Sequence, residues 1–151
     1  MVEISFYHLS SSSLDKALKL LLQKSLFSGK RSVVLFSTEE RLEVVSTLLW
    51  TTDPEGWLPH GSSKDGHKEK QPIWLTTKIE NPNGAEYLFI TDGAFPEKMG
   101  GFKRCFDLFD GNDQVSVQNA RKRWKKLVAK DHVLTYWQQD LKGTWGQISM
   151  T

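Results

Sequence analysis

The apolar positions along the first third of the chain switch between the period of a strand and the period of a helix. Residues 2–8 alternate polar with apolar side chains, as in a strand, and leucines then recur at helical spacing until the chain reaches Gly29. A second strand pattern covers residues 31–36, and a second helical pattern begins at Thr38. Because parallel strands need a crossover, which is usually helical, this rhythm predicts a sheet with helices packed on its faces.

Further along the chain, the pattern predicts a loop and three more strands. Residues 61–71 are polar and contain glycine, which is typical of a mobile loop. Strand patterns follow at residues 72–77 and 86–91, separated by a turn at Asn81-Pro82-Asn83-Gly84. Residues 102–109 are again apolar and indicate a further strand.

The last part of the chain predicts a long helix and a final strand. The helix runs from Asp113 to about Lys130 with one apolar stripe, formed by Val117, Ala120, Trp124, Leu127 and Val128. Residues 132–137 predict the last strand, for which an antiparallel orientation is one option. The whole pattern predicts one α/β domain over residues 1–151. Its expected architecture is a three-layer α/β/α sandwich with a mostly parallel mixed sheet, as in nucleotide-binding domains.

Composition is that of a single intracellular domain. The 151 residues are 38% apolar and 25% charged, the usual balance of a globular protein. No apolar run reaches the length of about 18 residues that spans a membrane, and the N-terminus has no signal-peptide pattern. The single cysteine, Cys105, cannot form an internal disulfide, which agrees with a reducing compartment. We therefore expect a cytoplasmic protein with no membrane partner.

The sequence lacks the phosphate-binding loop that this architecture often carries. Gly29-Lys30 resembles the end of such a loop, but Lys24 stands where its first glycine belongs and Arg31 stands where Ser or Thr belongs. The segment also runs from helix into strand, the reverse of the required order. Gly29 is better explained as a helix C-cap, and Asp92 as a strand-end or turn residue.

No catalytic, metal or cofactor site is predicted. The four histidines, His8, His60, His67 and His132, are far apart and have no metal-ligand spacing. A nucleophile built from Cys105 and a histidine is arithmetically possible, but a cysteine within an apolar strand is more often a small core residue. We therefore expect a protein that binds other molecules and is not an enzyme.

Positive charge is concentrated in the last quarter of the chain. Residues 117–151 contain seven Lys or Arg against two Asp or Glu, a net charge of +5, whereas residues 1–116 contain thirteen against sixteen, a net charge of −3. This asymmetry indicates an acidic partner, either nucleic acid or a peptide.

The first candidate binding surface is the basic cluster on the last helix, residues 119–126, in which six positions are basic or aromatic and are expected at the solvent edge. Arg121 and Lys125 are four residues apart and share one helix face, with Trp124 beside them. An arginine binds a carboxylate in a bidentate manner, and the indole ring would line a slot for the side chain that carries it. The alternative is a solvated basic face with Trp124 in the core.

The second candidate surface is an aromatic segment that follows the second helix. It contains large apolar side chains in a segment predicted to be irregular, namely Trp50, Trp57, Leu58, Pro59 and His60. Exposed aromatic side chains of this size are costly. The segment therefore either folds back as a lid on the sheet or forms a protein interface, where tryptophan is a common anchor.

Four short motifs give the chain a family resemblance. In order and spacing it resembles the chi subunit of bacterial DNA polymerase III from residue 3 to about residue 146. The motifs are Phe6-Tyr7-His8-Leu9, Ser28-Gly29-Lys30-Arg31, Leu49-Trp50 with Pro59-His60, and Ala120-Arg121-x-Arg123-aromatic-Lys125.

The resemblance implies a non-catalytic subunit of the clamp-loader complex that links the replicase to single-stranded DNA-binding protein. Its site for the acidic C-terminal tail of that protein, which ends in a phenylalanine carboxylate, would match Arg121, Trp124 and Lys125. Val117 stands where this helix can carry a further lysine. The resemblance also implies that the psi subunit binds at the aromatic segment, as a heterodimer with an otherwise monomeric chain. There Trp57 replaces an expected phenylalanine.

Two rival hypotheses belong to other functional classes. The same lysines could bind single-stranded nucleic acid directly, although the sequence lacks a row of stacking aromatics. In the favoured interpretation this protein meets DNA only indirectly. The other rival is a degenerate nucleotide-binding enzyme, which measurable ATP binding would support.

Overall fold

The computed structural model describes residues 2–51, 58–96, 101–130 and 132–148. These residues form seven strands and three helices in the order β1 Glu3–Leu9, α1 Leu14–Phe27, β2 Ser32–Leu35, α2 Glu39–Thr51, β3 Ile73–Thr76, β4 Tyr87–Thr91, β5 Arg104–Asp110, α3 Gln114–Val128, β6 Val133–Gln139 and β7 Trp145–Ile148.

The strands form one mixed sheet in the order β3-β2-β4-β5-β1-β6-β7. Six of them run parallel, and only β7 is antiparallel, paired with β6. The predicted mostly parallel mixed sheet is confirmed.

Two apolar cores lie on opposite faces of this sheet. Neighbouring strand residues point to opposite faces, so Val33 belongs to one core and Val34 to the other. The first core includes Ala120 and Leu127 of α3, and the second includes residues of α1 and α2. The helices therefore cover both faces, which confirms the three-layer sandwich.

Local capping signals set the ends of α1. The Ser13 side chain accepts a hydrogen bond from the Lys16 N–H at the N-terminus. At the C-terminus, Gly29 has a φ of +75°, and Lys30 N–H donates to the Ser25 carbonyl at 2.9 Å, the bonding pattern of a Schellman motif. Gly29 is thus a helix-ending residue, as predicted, and not part of a phosphate loop.

The end of the chain differs from the prediction. The strand predicted over residues 132–137 is β6, but it runs parallel to β1 and is not the last strand. The chain reverses after it because the Asp140 carboxylate accepts hydrogen bonds from the N–H groups of Lys142 and Thr144, and Gly143 adopts a φ of +86°. The antiparallel strand is β7, which the sequence pattern missed.

A second difference concerns the connection between β3 and β4. The predicted turn is present: the Asn81 side chain accepts from the Ala85 N–H at 2.7 Å, and Gly84 has a φ of +64°. However, β2 lies between the two strands and is parallel to both. The chain therefore crosses over β2 without the helix that such a connection usually contains.

Candidate peptide-binding site

Helix α3 starts at a well-capped turn beside the carboxyl end of β5. The Asp113 carboxylate accepts hydrogen bonds from the Ser116 hydroxyl at 2.6 Å and from the Ser116 N–H at 3.3 Å. The helix then packs on β5 and β6 through buried Ala120 and Leu127. This arrangement fixes which α3 side chains face the sheet and which face solvent.

The indole of Trp124 lies at the boundary between core and solvent. It is partly buried and makes edge-to-face contacts with Phe6 at 5.3 Å and Tyr136 at 5.8 Å between ring centroids. Val117 is likewise partly buried against this core. Val128, predicted to lie in the apolar stripe, is 56% exposed, so that part of the prediction is wrong. It stands seven residues after Arg121 and therefore shares the solvent-facing side of the helix.

Arg121 and Lys125 are both exposed on the side of α3 that borders Trp124. The structure thus brings together four predicted site residues on adjacent turns of one helix. We call this surface the α3 basic flank, formed by Val117, Arg121, Trp124 and Lys125. Trp124 packs against the core on one side, as the alternative interpretation requires, and is partly exposed on the other; its role as the wall of a binding slot stays a prediction.

Arg123 does not belong to this solvent-facing surface, contrary to the prediction for the basic cluster. Its guanidinium makes a bidentate salt bridge to Asp107 of β5, at 2.7 and 3.0 Å. The Asp107 side chain is 0% exposed and that of Arg123 only 13%. Burial raises the pKa of Asp107, and the charge and hydrogen bonds of Arg123 oppose that rise. This buried salt bridge joins α3 to β5 of the sheet.

Asp107 was not predicted as a functional residue from the sequence. The available signal was a single carboxylate inside the apolar run of β5, because a charged residue in a buried strand needs a partner. The partner lies sixteen residues later on a different element, so spacing alone did not identify it.

Two further side chains lie within the electrostatic influence of Arg121 and were not predicted as site residues. The Nδ1 atom of His8 is 2.7 Å from the Tyr136 hydroxyl. Burial is the largest influence on both groups, and it lowers the pKa of His8 and raises the pKa of Tyr136. The positive charge of Arg121 contributes a lowering to each pKa, and the net pKa of Tyr136 stays raised. Arg121 therefore shares its surroundings with a histidine and a tyrosine from β1 and β6.

The second candidate surface is only partly exposed. Trp57 lies outside the described residues. Leu58 and His60 are buried, while Trp50 is 47% exposed. The His60 ring lies 4.0 Å from the Trp50 ring, and its Nδ1 is 2.8 Å from the Leu58 carbonyl oxygen. Buried His60 therefore packs beneath Trp50, and among the described residues of this segment Trp50 and half-buried Pro59 are accessible.

The loop after β1, where nucleotide-binding domains often hold phosphate, is occupied by a side chain of the same protein. The backbone N–H groups of Ser10, Ser11 and Ser12 all donate to the Gln139 carboxamide oxygen, at 3.3, 3.0 and 3.0 Å. Successive N–H groups of this kind form an anion-binding nest. Here a neutral oxygen of the protein's own β6 takes that position.

An apolar pocket of about 380 Å³ opens at the carboxyl ends of β2 and β3. None of the described residues that line it is charged; they are Leu35, Phe36, Ser37, Thr77, Ile79, Ala94 and Pro96. This described lining therefore offers no cation for a phosphate. Asp92, next to this edge, is held by Arg41 at 2.9 Å and has a φ of +52°, which agrees with its predicted role in a turn.

Two observations concern the residue types that catalytic and metal sites use. Cys105 is buried, and burial raises its pKa to about 12, so its nucleophilic thiolate form is suppressed at neutral pH. Within residues 2–51, 58–96, 101–130 and 132–148, His, Cys, Asp and Glu form no group of three that could hold a metal ion. The helices of this region are also too short or too polar to cross a membrane.

Comparison with known proteins identifies the family. A family model described as DNA polymerase III chi subunit, HolC, matches residues 1–135. The probable DNA polymerase III subunit chi of Rickettsia prowazekii is 30% identical over 159 aligned positions, which cover 99% of this chain and 93% of that protein. The DNA polymerase III subunit chi of Haemophilus influenzae is 26% identical over 103 positions, covering 66% of this chain and 69% of that protein.

These matches confirm the resemblance drawn from the four motifs, and the match to the Rickettsia prowazekii protein extends over nearly the whole chain. Both relatives come from bacteria and carry the name of a replicative polymerase subunit. The chain therefore belongs to the family of DNA polymerase III chi subunits and has an accessory role in DNA replication.

Proposed function

We propose that this protein links DNA polymerase III to single-stranded DNA-binding protein by holding the acidic C-terminal tail of that protein on the α3 basic flank. The observation that supports this most strongly is a contrast between two arginines. Arg123 is paired with Asp107, whereas Arg121 makes no salt bridge with any described residue. A guanidinium without an internal carboxylate is free to bind an external one.

The surroundings of Arg121 suit a terminal phenylalanine carboxylate. The guanidinium would hold the carboxylate through two parallel hydrogen bonds, worth about 1.5–3 kcal/mol together with their charge. The phenyl ring would lie against the partly exposed indole of Trp124 and the side chain of Val117. Lys125, one turn beyond Arg121, would attract the acidic residues that precede the phenylalanine.

A peptide titration tests this assignment. We expect an acetylated peptide ending in Asp-Asp-Ile-Pro-Phe to bind, with an affinity that weakens as salt is added. Arg121→Ala should weaken binding by about 10- to 100-fold, the factor that corresponds to losing a charge-assisted hydrogen bond. Lys122→Ala removes one exposed positive charge from the next position of α3, outside the flank, and serves as the matched control. Equal binding by the wild type and Arg121→Ala would refute the site.

We further propose that a psi-like subunit binds around Trp50 on the opposite face of the sheet, with Trp57 and Pro59 contributing. Helix α2 and α3 cover different faces, so one partner would not block the other. Leu58 and His60 would shape this surface from within and not contact the partner directly. Trp50→Ala should abolish co-purification of the second subunit while peptide binding stays within twofold.

In this proposal the chain is one cytoplasmic domain, monomeric or in a heterodimer, and catalysis comes from the assembled polymerase. Contact with DNA is indirect. The competing assignment, direct binding of single-stranded DNA through the same lysines, predicts that an oligonucleotide alone binds at moderate salt with a steep salt dependence. Binding of the oligonucleotide but not of the peptide would favour that alternative.

A further inference from the structure

His8 lies near the carboxyl end of β1, on the side of the sheet that α3 covers. Trp124, three residues after Arg121 on α3, packs against Tyr136, and the ring of His8 packs against the same tyrosine, which places His8 beneath this part of α3. Its ring is half-buried and contacts the rings of Phe109 and Tyr136, with centroids 5.3 and 5.9 Å away. The Nδ1 atom is 2.7 Å from the Tyr136 hydroxyl oxygen. These contacts from β5 and β6 leave the imidazole little freedom to turn.

The opposite edge of the imidazole faces the backbone of Gly111. A Cβ atom at Gly111 would overlap the Cδ2 and Nε2 atoms of His8, so only glycine leaves room for the ring. The Gly111 backbone raises the pKa of His8, the effect of a carbonyl that accepts a hydrogen bond from the ring. In the neutral form, Nε2 therefore carries the hydrogen and Nδ1 accepts from the Tyr136 hydroxyl.

Gaining a second proton requires no movement of the ring. The protonated Nδ1 would donate to the Tyr136 oxygen across the same 2.7 Å, and Nε2 would keep its backbone acceptor. The hydroxyl group serves as donor in one state and as acceptor in the other. The site thus accommodates both protonation states of His8 with the same side-chain positions.

Four influences act on the charge of His8. Burial is the largest and lowers the pKa, and the positive charge of Arg121 on α3 lowers it further. The Gly111 backbone and the Asp110 carboxylate at the end of β5 raise it. The net effect is a pKa below the ordinary value. Arg121 is the one of these four that an arriving carboxylate would neutralise.

We propose that His8 is a second cation of the α3 basic flank, a positioning residue that takes up a proton when a peptide carboxylate binds Arg121. This inference rests on the proposed function. The bound carboxylate cancels the charge of Arg121 and removes its repulsion of a protonated ring. By linkage, a ligand that favours the protonated form must bind more tightly as the pH falls.

The peptide titration can be extended to test this linkage. The acetylated Asp-Asp-Ile-Pro-Phe probe has only carboxyl groups, with ordinary pKa values of about 3.3–3.9, so its charge is constant above pH 5.5. For the wild type we expect the dissociation constant to fall by about three- to tenfold between pH 8 and pH 5.5, since one unit of pKa shift corresponds to tenfold. Calorimetry at pH 6.5 in two buffers of different ionisation enthalpy should show net proton uptake on binding.

His8→Gln keeps a polar side chain next to Tyr136 but cannot be protonated. It should bind the peptide with less than a twofold change over the same pH range and with no proton uptake. His132→Gln is the matched control, because His132 accepts from the Val2 N–H at 3.3 Å at the other end of the sheet. This control should keep the pH dependence of the wild type.

The outcomes separate this inference from the proposed function. Binding that depends on Arg121 but is independent of pH, or that keeps its pH dependence in His8→Gln, overturns the role of His8 and leaves the proposed function intact. Absence of wild-type binding at every pH overturns both. Proton uptake that disappears in His8→Gln and persists in His132→Gln supports the linkage.

Discussion

Replacing Arg123 by methionine would leave the Asp107 carboxyl group buried without its cation. The Asp107 side chain is fully buried within the core between β5 and α3, and its two oxygens both accept from Arg123. Solvent cannot replace the guanidinium there without opening the core. Asp107 in this variant would therefore be held in its neutral, protonated form.

The cost of this protonation depends on pH. Holding a carboxyl of ordinary pKa, about 3.9, in its protonated form costs about 4.2 kcal/mol at pH 7 and about 1.5 kcal/mol at pH 5, at 1.36 kcal/mol per unit. A folded-state pKa raised above the unfolded value adds stability at low pH and loses it as the pH rises. The Arg123→Met variant should therefore be destabilised by roughly 4 kcal/mol at pH 7 and by less than half of that at pH 5.

Urea unfolding of the wild type and of Arg123→Met at the two pH values measures this difference. The double variant Asp107→Leu/Arg123→Met removes both charges and should recover most of the lost stability at pH 7. A cost that is the same at pH 5 and pH 7, or a double variant as unstable as the single one, would refute the idea that Arg123 serves to neutralise Asp107.

Three further predictions concern the frame around the site. Gln139→Ala removes the acceptor shared by the N–H groups of residues 10–12 and should lower the free energy of unfolding by about 2–3 kcal/mol. The control Gln138→Ala, at an exposed position, should change the free energy of unfolding by less than about 0.5 kcal/mol, and equal urea midpoints for the two variants would contradict this. Gly29→Ala should lower the free energy of unfolding by about 1 kcal/mol in the same assay. The positive φ alone causes this loss, since no atom lies within 4 Å of the added Cβ, and an unchanged urea midpoint would show that alanine tolerates this conformation. Cys105 should react with thiol reagents at neutral pH only after unfolding, because burial raises its pKa to about 12; rapid labelling of the native protein would count against that burial.

Local signals made most of the fold predictable. The ends of α1 are set by Ser13 and Gly29, which act through neighbouring backbone groups, so their effect is visible in the sequence. Strand β7 was missed because Trp145–Ile148 contains glycine and glutamine and is mostly exposed, which gives it no apolar pattern. The orientation of β6 depends on its pairing with β1, a contact across more than 120 residues that no local pattern records.

The residues of the candidate site likewise divide into those that the sequence predicts and those that it does not. Arg121, Trp124 and Lys125 were found because helical spacing places them together on one element. Asp107 and Tyr136 were not found, because each meets α3 only after the sheet has formed. His8 was noted in a motif, but its neighbours come from β5 and β6. Spacing thus identified residues within one element, whereas contacts between elements required the three-dimensional structure.

Recognition of the terminal phenylalanine by the α3 basic flank is tested most directly with intact single-stranded DNA-binding protein. Calorimetry would compare its full-length form with a form that lacks only the final phenylalanine, each titrated into the wild-type chain and into Arg121→Ala. Only the full-length form should bind the wild type, and neither form should bind Arg121→Ala with comparable affinity. Equal binding of both forms by the wild type would refute the proposed site, because the shortened tail lacks the phenyl ring for Trp124 and its terminal carboxylate lies one residue earlier.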